Sequence, residues 1–214
     1  MLRIISNMSD AVRYRDEPES AMEIRDVAKV LKEIFIVASE RVSQAGIHLS
    51  FHCDEQQILT LVDAEKLERA VYNILSNAVK FTPRGGTIDA CLTRRGNMLY
   101  LTVRDSGSGV DPAIRGSIHG RYLRQPGVED GRFGIGLGMV LIRAAAAAHG
   151  GTVLMEYPDG LGTRITMTMA IRQDTGGTLR SKILKVDYAG ERDHGLIELS
   201  DALPAALYKK ENIN

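Results

Sequence analysis

The chain has 214 residues and a balanced charge, 27 basic against 27 acidic side chains, with no long basic block. That length suits one good-sized domain plus a smaller appendage with a real core, and the balance leaves no electrostatic case for nucleic acid or an anionic lipid surface. No apolar run approaches the ~18 residues of a membrane span, the N-terminus lacks a signal peptide's apolar stretch, and Cys53 and Cys91 show neither CxxC nor Cys/His spacing, so they read as reduced, buried thiols of a cytoplasmic protein.

Residues 2–14 carry Leu2, Ile5, Met8 and Val12 at helical spacing, stopped by a charged stretch and Pro18. A core helix is predicted over 26–45, with Asp26 as N-cap, Gly46 as terminator and Val27, Val30, Leu31, Ile34, Phe35, Ala38 and Val42 on one face. "IHLSFHC" (47–53) and "ILTLV" (58–62) read as a hairpin of strands. Asp63 can cap the next helix, 64–81, whose apolar face is Leu67, Ala70, Val71, Ile74, Leu75 and Ala78, and Pro83, Gly85 and Gly86 end it. "GTIDACLTRR" and "NMLYLTVRD" flank a Gly96-Asn97 turn, residues 106–136 form a long glycine-containing loop of the kind that carries function, and "LGMVLIRAAAAAH" is a helix stopped by Gly150 and Gly151. A last hairpin, 151–157 with 163–171, crosses "PDGLG". The pattern predicts a two-layer α/β sandwich, with helices on one face of a mixed, mostly antiparallel sheet.

Four segments draw attention. In "NILSNAVKFT" (73–82), Asn73, Asn77, Lys80 and Phe81 fall within roughly a 100° arc beside the apolar stripe; the plain reading is that the amides bond neighbouring backbone and Lys80 is solvated. "DSGSG" (105–109) puts an acceptor, Asp105, at a strand end followed by glycines that let backbone approach a ligand, although Asp and Gly also simply make turns. "GIGLG" (134–138) leads into a helix, whose N-H groups suit an anion such as phosphate; a dinucleotide site is excluded because no preceding strand or distal acidic residue accompanies it. "GLGT" (160–163) is a glycine turn ending in a hydroxyl. His48 and His52 lie four apart in a predicted strand with no third ligand, so no metal is expected there, and His149 is expected to close its helix.

In this order, "DAEKLERAVYNILSNAVKFTP", "DSGSG", "GIGLG" followed by "HGG", and "GLGT" resemble the asparagine box and three glycine boxes of the GHKL ATPase superfamily, and within it the catalytic and ATP-binding domain of bacterial sensor histidine kinases. The resemblance covers about residues 26–171 and implies a Bergerat-type sandwich that binds ATP and Mg2+. It divides the chain into residues 1–17, similar to the second helix of a dimerisation and phosphotransfer hairpin, a kinase domain over 18–171, and a tail over 172–214 of unassigned role. By position it makes Asn77 the magnesium ligand, sets Asn73 near the phosphates or the metal's waters, has Lys80 offset phosphate charge, and packs Phe81 beside the nucleotide. Asp105 would accept from the adenine amino group, Gly107 and Gly109 would let backbone approach the base, Gly134, Gly136, Leu137 and Gly138 would line the phosphates, and Thr163 would add a hydroxyl. Asn73 also stands where hydrolysing relatives carry a glutamate base; an amide cannot take that role, so the expected reaction is γ-phosphoryl transfer to a histidine.

Two departures accompany the resemblance. The first histidine is His48, so the phosphoacceptor is missing, and a fragment of a longer sensor is expected, with membrane and input segments upstream. In "IHGRYLR" (118–124), His119 and Tyr122 replace the two phenylalanines of the family's lid, while Arg121, Arg124 and Arg132 remain available for phosphate. A response regulator and the chain's own dimerisation domain, in a full-length homodimer, are the partners implied; this chain itself is expected to touch neither nucleic acid nor membrane. The alternatives are a GHKL ATPase and a nucleotide-binding regulatory module without kinase activity.

Overall fold

A computed structural model of the chain describes residues 22–109, 137–158 and 162–172. In order these are β1 (Glu23–Asp26), α1 (Val27–Gln44), β2 (His48–Cys53), β3 (Leu59–Val62), α2 (Ala64–Phe81), β4 (Thr87–Arg95), β5 (Met98–Asp105), α3 (Leu137–Ala148), β6 (Val153–Glu156) and β7 (Arg164–Ala170). Five strands form one sheet in the order β2-β4-β5-β7-β6, in which only β2 and β4 run parallel. α1 packs over β2, α2 over β5 and α3 over β7 and β6, with α2 in contact with both other helices. The expected helix at 2–14, residues 110–136 of the glycine-containing loop, and the tail beyond 172 lie outside the described residues.

Alternation along the strands decides which face the helices cover. Ile88, Ala90 and Leu92 of β4, Leu99, Leu101 and Val103 of β5, and Ile165, Met167 and Met169 of β7 are all buried. Their neighbours point the other way and are polar: Thr102 and Thr166 hydroxyls lie 3.1 Å apart, and Ser50 donates to Asp89 at 2.7 Å. This is the two-layer sandwich that the sequence pattern predicts. Each large side chain so buried is worth roughly 1.5–3 kcal/mol, so the shared core dominates and the caps set helix ends.

One expectation fails. Segments 47–53 and 58–62 both become strands but do not form a hairpin: β2 pairs in parallel with β4, and β3 pairs antiparallel with β1 in a separate two-stranded ribbon. Apolar alternation selects a strand and its buried face without naming its neighbour. The chain around β3 is claimed instead by the start of α1, where Val27 N–H donates to Ile58 O at 2.9 Å and Ile58 N–H donates to the Asp26 carboxylate at 3.0 Å. β1 itself, "EIRD", is too short and charged to show strand periodicity. The thiols also differ from expectation. Cys53 and Cys91 are free, half-buried rather than buried, and lie on opposite faces of adjacent strands; desolvation first, then nearby acidic groups, raises both above their ordinary pKa.

α2 begins at Asp63, whose Oδ1 accepts from Lys66 N–H at 3.0 Å. It ends where Thr82, forced extended before Pro83, turns its hydroxyl back onto Ala78 O at 2.7 Å. α3 closes in a glycine cap: Gly151 N–H reaches Ala146 O at 2.8 Å and Gly150 N–H reaches Ala147 O at 3.0 Å, with Gly150 at φ +68°. His149 does more than close this helix. Its Nδ1 donates to Ala145 O at 2.7 Å, and its Nε2 accepts the N–H of Asp63, the residue that caps α2, at 3.0 Å. Only the neutral imidazole can do both, and burial lowers the pKa of His149 against the weaker opposing pull of the Ala145 bond and of Asp63.

The capping side chain of Asp26 joins two elements, so Asp26→Ala should cost about 2 kcal/mol: about 1 for the α1 cap and about 1 for the stranded Ile58 N–H. Asp26→Asn should recover most of it, as measured by urea unfolding followed by circular dichroism. His149 gives a pH dependence with a fixed sign. The unfolded chain takes up its proton near the ordinary value of 6.5 while the folded chain resists. Stability is therefore full above that pH and falls below it by up to about 1.4 kcal/mol per pH unit, levelling off past the depressed native value. His149→Gln should abolish this slope in unfolding curves taken between pH 7.5 and 5.

Candidate functional site

The ends of α2 and β5 meet at one edge of the sandwich. Asp105, the last residue of β5, is buried, and its Oδ1 accepts from Gly107 N–H at 2.9 Å and from Thr163 N–H at 3.2 Å. Its own N–H donates to Thr163 O at 3.0 Å. Among the described residues both side-chain bonds fall on Oδ1 and none on Oδ2. Burial pushes the carboxyl above the ordinary carboxylate value, and the two backbone donors and Arg104 oppose that shift.

The glycines beside Asp105 allow three backbones to meet there. A Cβ on Gly107 would run into the carbonyl of Phe81 at the end of α2, and Gly107 O in turn accepts from Gly162 N–H at 2.8 Å. Gly162 has φ +81°, and a Cβ there would overlap the Asp105 carbonyl. Gly109, at φ +70°, lies against Gly162. Thus Asp105, Gly107, Gly109, Phe81 and Thr163 are brought together as the sequence order suggested. Thr163 contributes its backbone N–H and C=O to the junction. Gly162 belongs beside it; the sequence reading places it within the "GLGT" segment without singling it out, and the signal for it is a second glycine turn in a neighbouring strand connection.

α2 presents the remaining groups. Asn77 and Lys80 are half-buried, and Phe81 is 37% exposed at the helix end. Asn73 differs: it is wholly buried, and its Nδ2 donates to Arg69 O at 2.8 Å. Gly138, in the first turn of α3, packs directly on Asn73. Leu137 opens α3 as expected, whereas Gly134, Gly136 and the lid residues His119, Arg121, Tyr122, Arg124 and Arg132 lie outside the described residues. His48 and His52 sit exposed on the outer face of β2, the latter 2.8 Å from Asp54.

Residues 62–173, just over half the chain, match the family model "Histidine kinase-, DNA gyrase B-, and HSP90-like ATPase". The histidine protein kinase DivJ of Caulobacter vibrioides is 27% identical over 175 residues, covering 80% of this chain but 29% of that protein. The chain therefore spans less than a third of that relative's length. Among solved structures, the mycobacterial sensor histidine kinase MprB is 26% identical with a TM-score of 0.59, over 71% of this chain and 99% of that one. The full-length kinase ShkA, in complex with AMPPNP, shares the fold at 22% identity and a TM-score of 0.68, over 80% of this chain and 36% of that one. With the sandwich, the buried aspartate and the paired glycine turns in place, the chain belongs to the histidine kinase-, gyrase B- and HSP90-like ATPase family, as an ATP-binding catalytic domain of the sensor histidine kinase kind.

Proposed function

We propose that this domain binds Mg-ATP and delivers the γ-phosphoryl group to a histidine on a dimerisation and phosphotransfer domain outside this chain, from which a response regulator then takes it. The observation that carries the reading is the Asp105 junction, a buried carboxylate with one oxygen committed to two backbone N–H groups and the other left to accept the adenine amino group. Guanine offers a carbonyl at that edge, so the same oxygen would reject it. A kinase of the same fold is solved in complex with AMPPNP, which supports a nucleotide as the ligand.

The metal fits the donors present. Among the described residues no three His, Cys, Asp or Glu side chains gather to hold an ion; half-buried Asn77 offers one neutral oxygen and Lys80 an ammonium. That set suits a hydrated magnesium shared with phosphates and would not by itself cage one. When bound, magnesium offsets the charge of the transferring phosphoryl group. Phe81 flanks the nucleotide, and Asn73, an amide without a proton-accepting nitrogen or a carboxylate, supplies no base for water. Catalysis is then positioning and charge neutralisation. In the full-length protein the domain works in the cytoplasm within a homodimer, with membrane anchoring upstream.

Calorimetric titration of the chain with AMPPNP, first with magnesium and then with excess chelator, tests the reading. Binding should need magnesium, and Asn77→Ala should remove most of that dependence. Asp105→Asn keeps the Oδ1 acceptor but turns an NH2 toward the adenine amino group, so affinity should fall roughly 10–100-fold, the worth of a bond to a charged acceptor. A folded chain that binds nucleotide equally well with Asp105→Asn, or not at all, would overturn the assignment; rapid phosphate release by the wild type would point to a hydrolase instead.

A further inference from the structure

Asn73 is placed differently from its neighbours on α2. Asn77 and Lys80 are half-buried, but Asn73 has no exposed surface, and its amide nitrogen is committed to Arg69 O, one turn back. Its oxygen faces the first turn of α3: a Cβ on Gly138 would lie 2.9 Å from Asn73 Oδ1 and 3.7 and 3.8 Å from Asn73 Cγ and Cβ. The first distance is shorter than side chains tolerate, so one of the two residues would have to move. Asn73 resists, because turning its amide away breaks the Arg69 bond in a dry setting, where the next residues of the helix, Ile74 and Leu75, are also fully buried. This turn of α3 can therefore lie as close to α2 as it does only with glycine at 138 and a small planar amide at 73.

We infer that Asn73 is a positioning residue, whose side chain sets how closely the first turn of α3 docks on α2, with Gly138 as its counterpart. The inference rests on the nucleotide reading, in which the N–H groups that open α3 face the phosphates. Aspartate would not substitute at 73. It would set an acceptor against the Arg69 carbonyl and bury a charge.

A double-mutant cycle on the whole chain tests this, reading affinity for Mg-AMPPNP by calorimetry and for adenosine by NMR titration. Gly138→Ala should weaken AMPPNP roughly tenfold while leaving adenosine, held at the Asp105 end, unchanged. Adding Asn73→Ala to Gly138→Ala makes room for the new methyl and should bring AMPPNP affinity back to within about threefold of the Asn73→Ala single variant. Losses that simply multiply would overturn the inference, since Asn73 would then act on the ligand and not on α3. Should the wild type bind no nucleotide, the nucleotide reading fails by itself, and the same cycle read as urea midpoints still decides the Asn73–Gly138 coupling: compensation supports it and additivity sinks it.

Discussion

Asp105 Oδ1 accepts N–H groups from two glycine turns that are far apart in sequence, Gly107 after β5 and Thr163 before β7. Burying a carboxylate costs free energy unless such donors face it, and supplying them requires the two turns to converge on the strand end. Convergence in turn requires that neither turn carry a Cβ where the backbones touch, which Gly107 against Phe81 and Gly162 against Asp105 satisfy. The register of β5 on β7 holds these partners in place, ending at Arg104 opposite Arg164. Polarity, turn chemistry and sheet register thus meet at one atom, and the free carboxylate oxygen is left over by that arrangement.

The helices were legible because their signals are local. Asp26 and Asp63 cap, Pro83 and Gly150 stop, and the apolar spacing of Leu67, Ala70, Val71 and Ile74 is satisfied by a single buried face. Strand existence was legible for the same reason, but pairing was not, since β2 finds its partner β4 some forty residues away and β3 finds β1 in a segment too short to show alternation. At the site, residue order along the chain pointed to Asp105, Gly107 and Gly109, and the structure brings them together with Phe81 and Thr163. What sequence could not show is which atoms serve. Thr163 holds Asp105 through its backbone, and a main-chain donor leaves no trace in residue identity.

Two pins hold α3 against α2. At one, His149 from the end of α3 accepts the N–H of Asp63, which caps the start of α2; at the other, Gly138 from the start of α3 abuts Asn73 in the middle of α2. The helices therefore run antiparallel. Asp63 to Asn73 and Gly138 to His149 are stretches of about 15 and 16 Å at 1.5 Å per residue, so the two pins fall in register. The first is polar and the second steric, so together they fix both rotation and spacing of the helix pair.

The amide at position 73 brings two properties that look unrelated from sequence. Its NH2 satisfies the Arg69 carbonyl one turn back, which a carboxylate could not do. Its oxygen occupies the space into which a side chain on Gly138 would otherwise extend. A glutamate, the residue of hydrolysing relatives in the resemblance, would be one methylene longer and charged in a site with no exposed surface. Having an amide here thus keeps the seam closed and, by the same chemistry, sets no carboxylate base at this position.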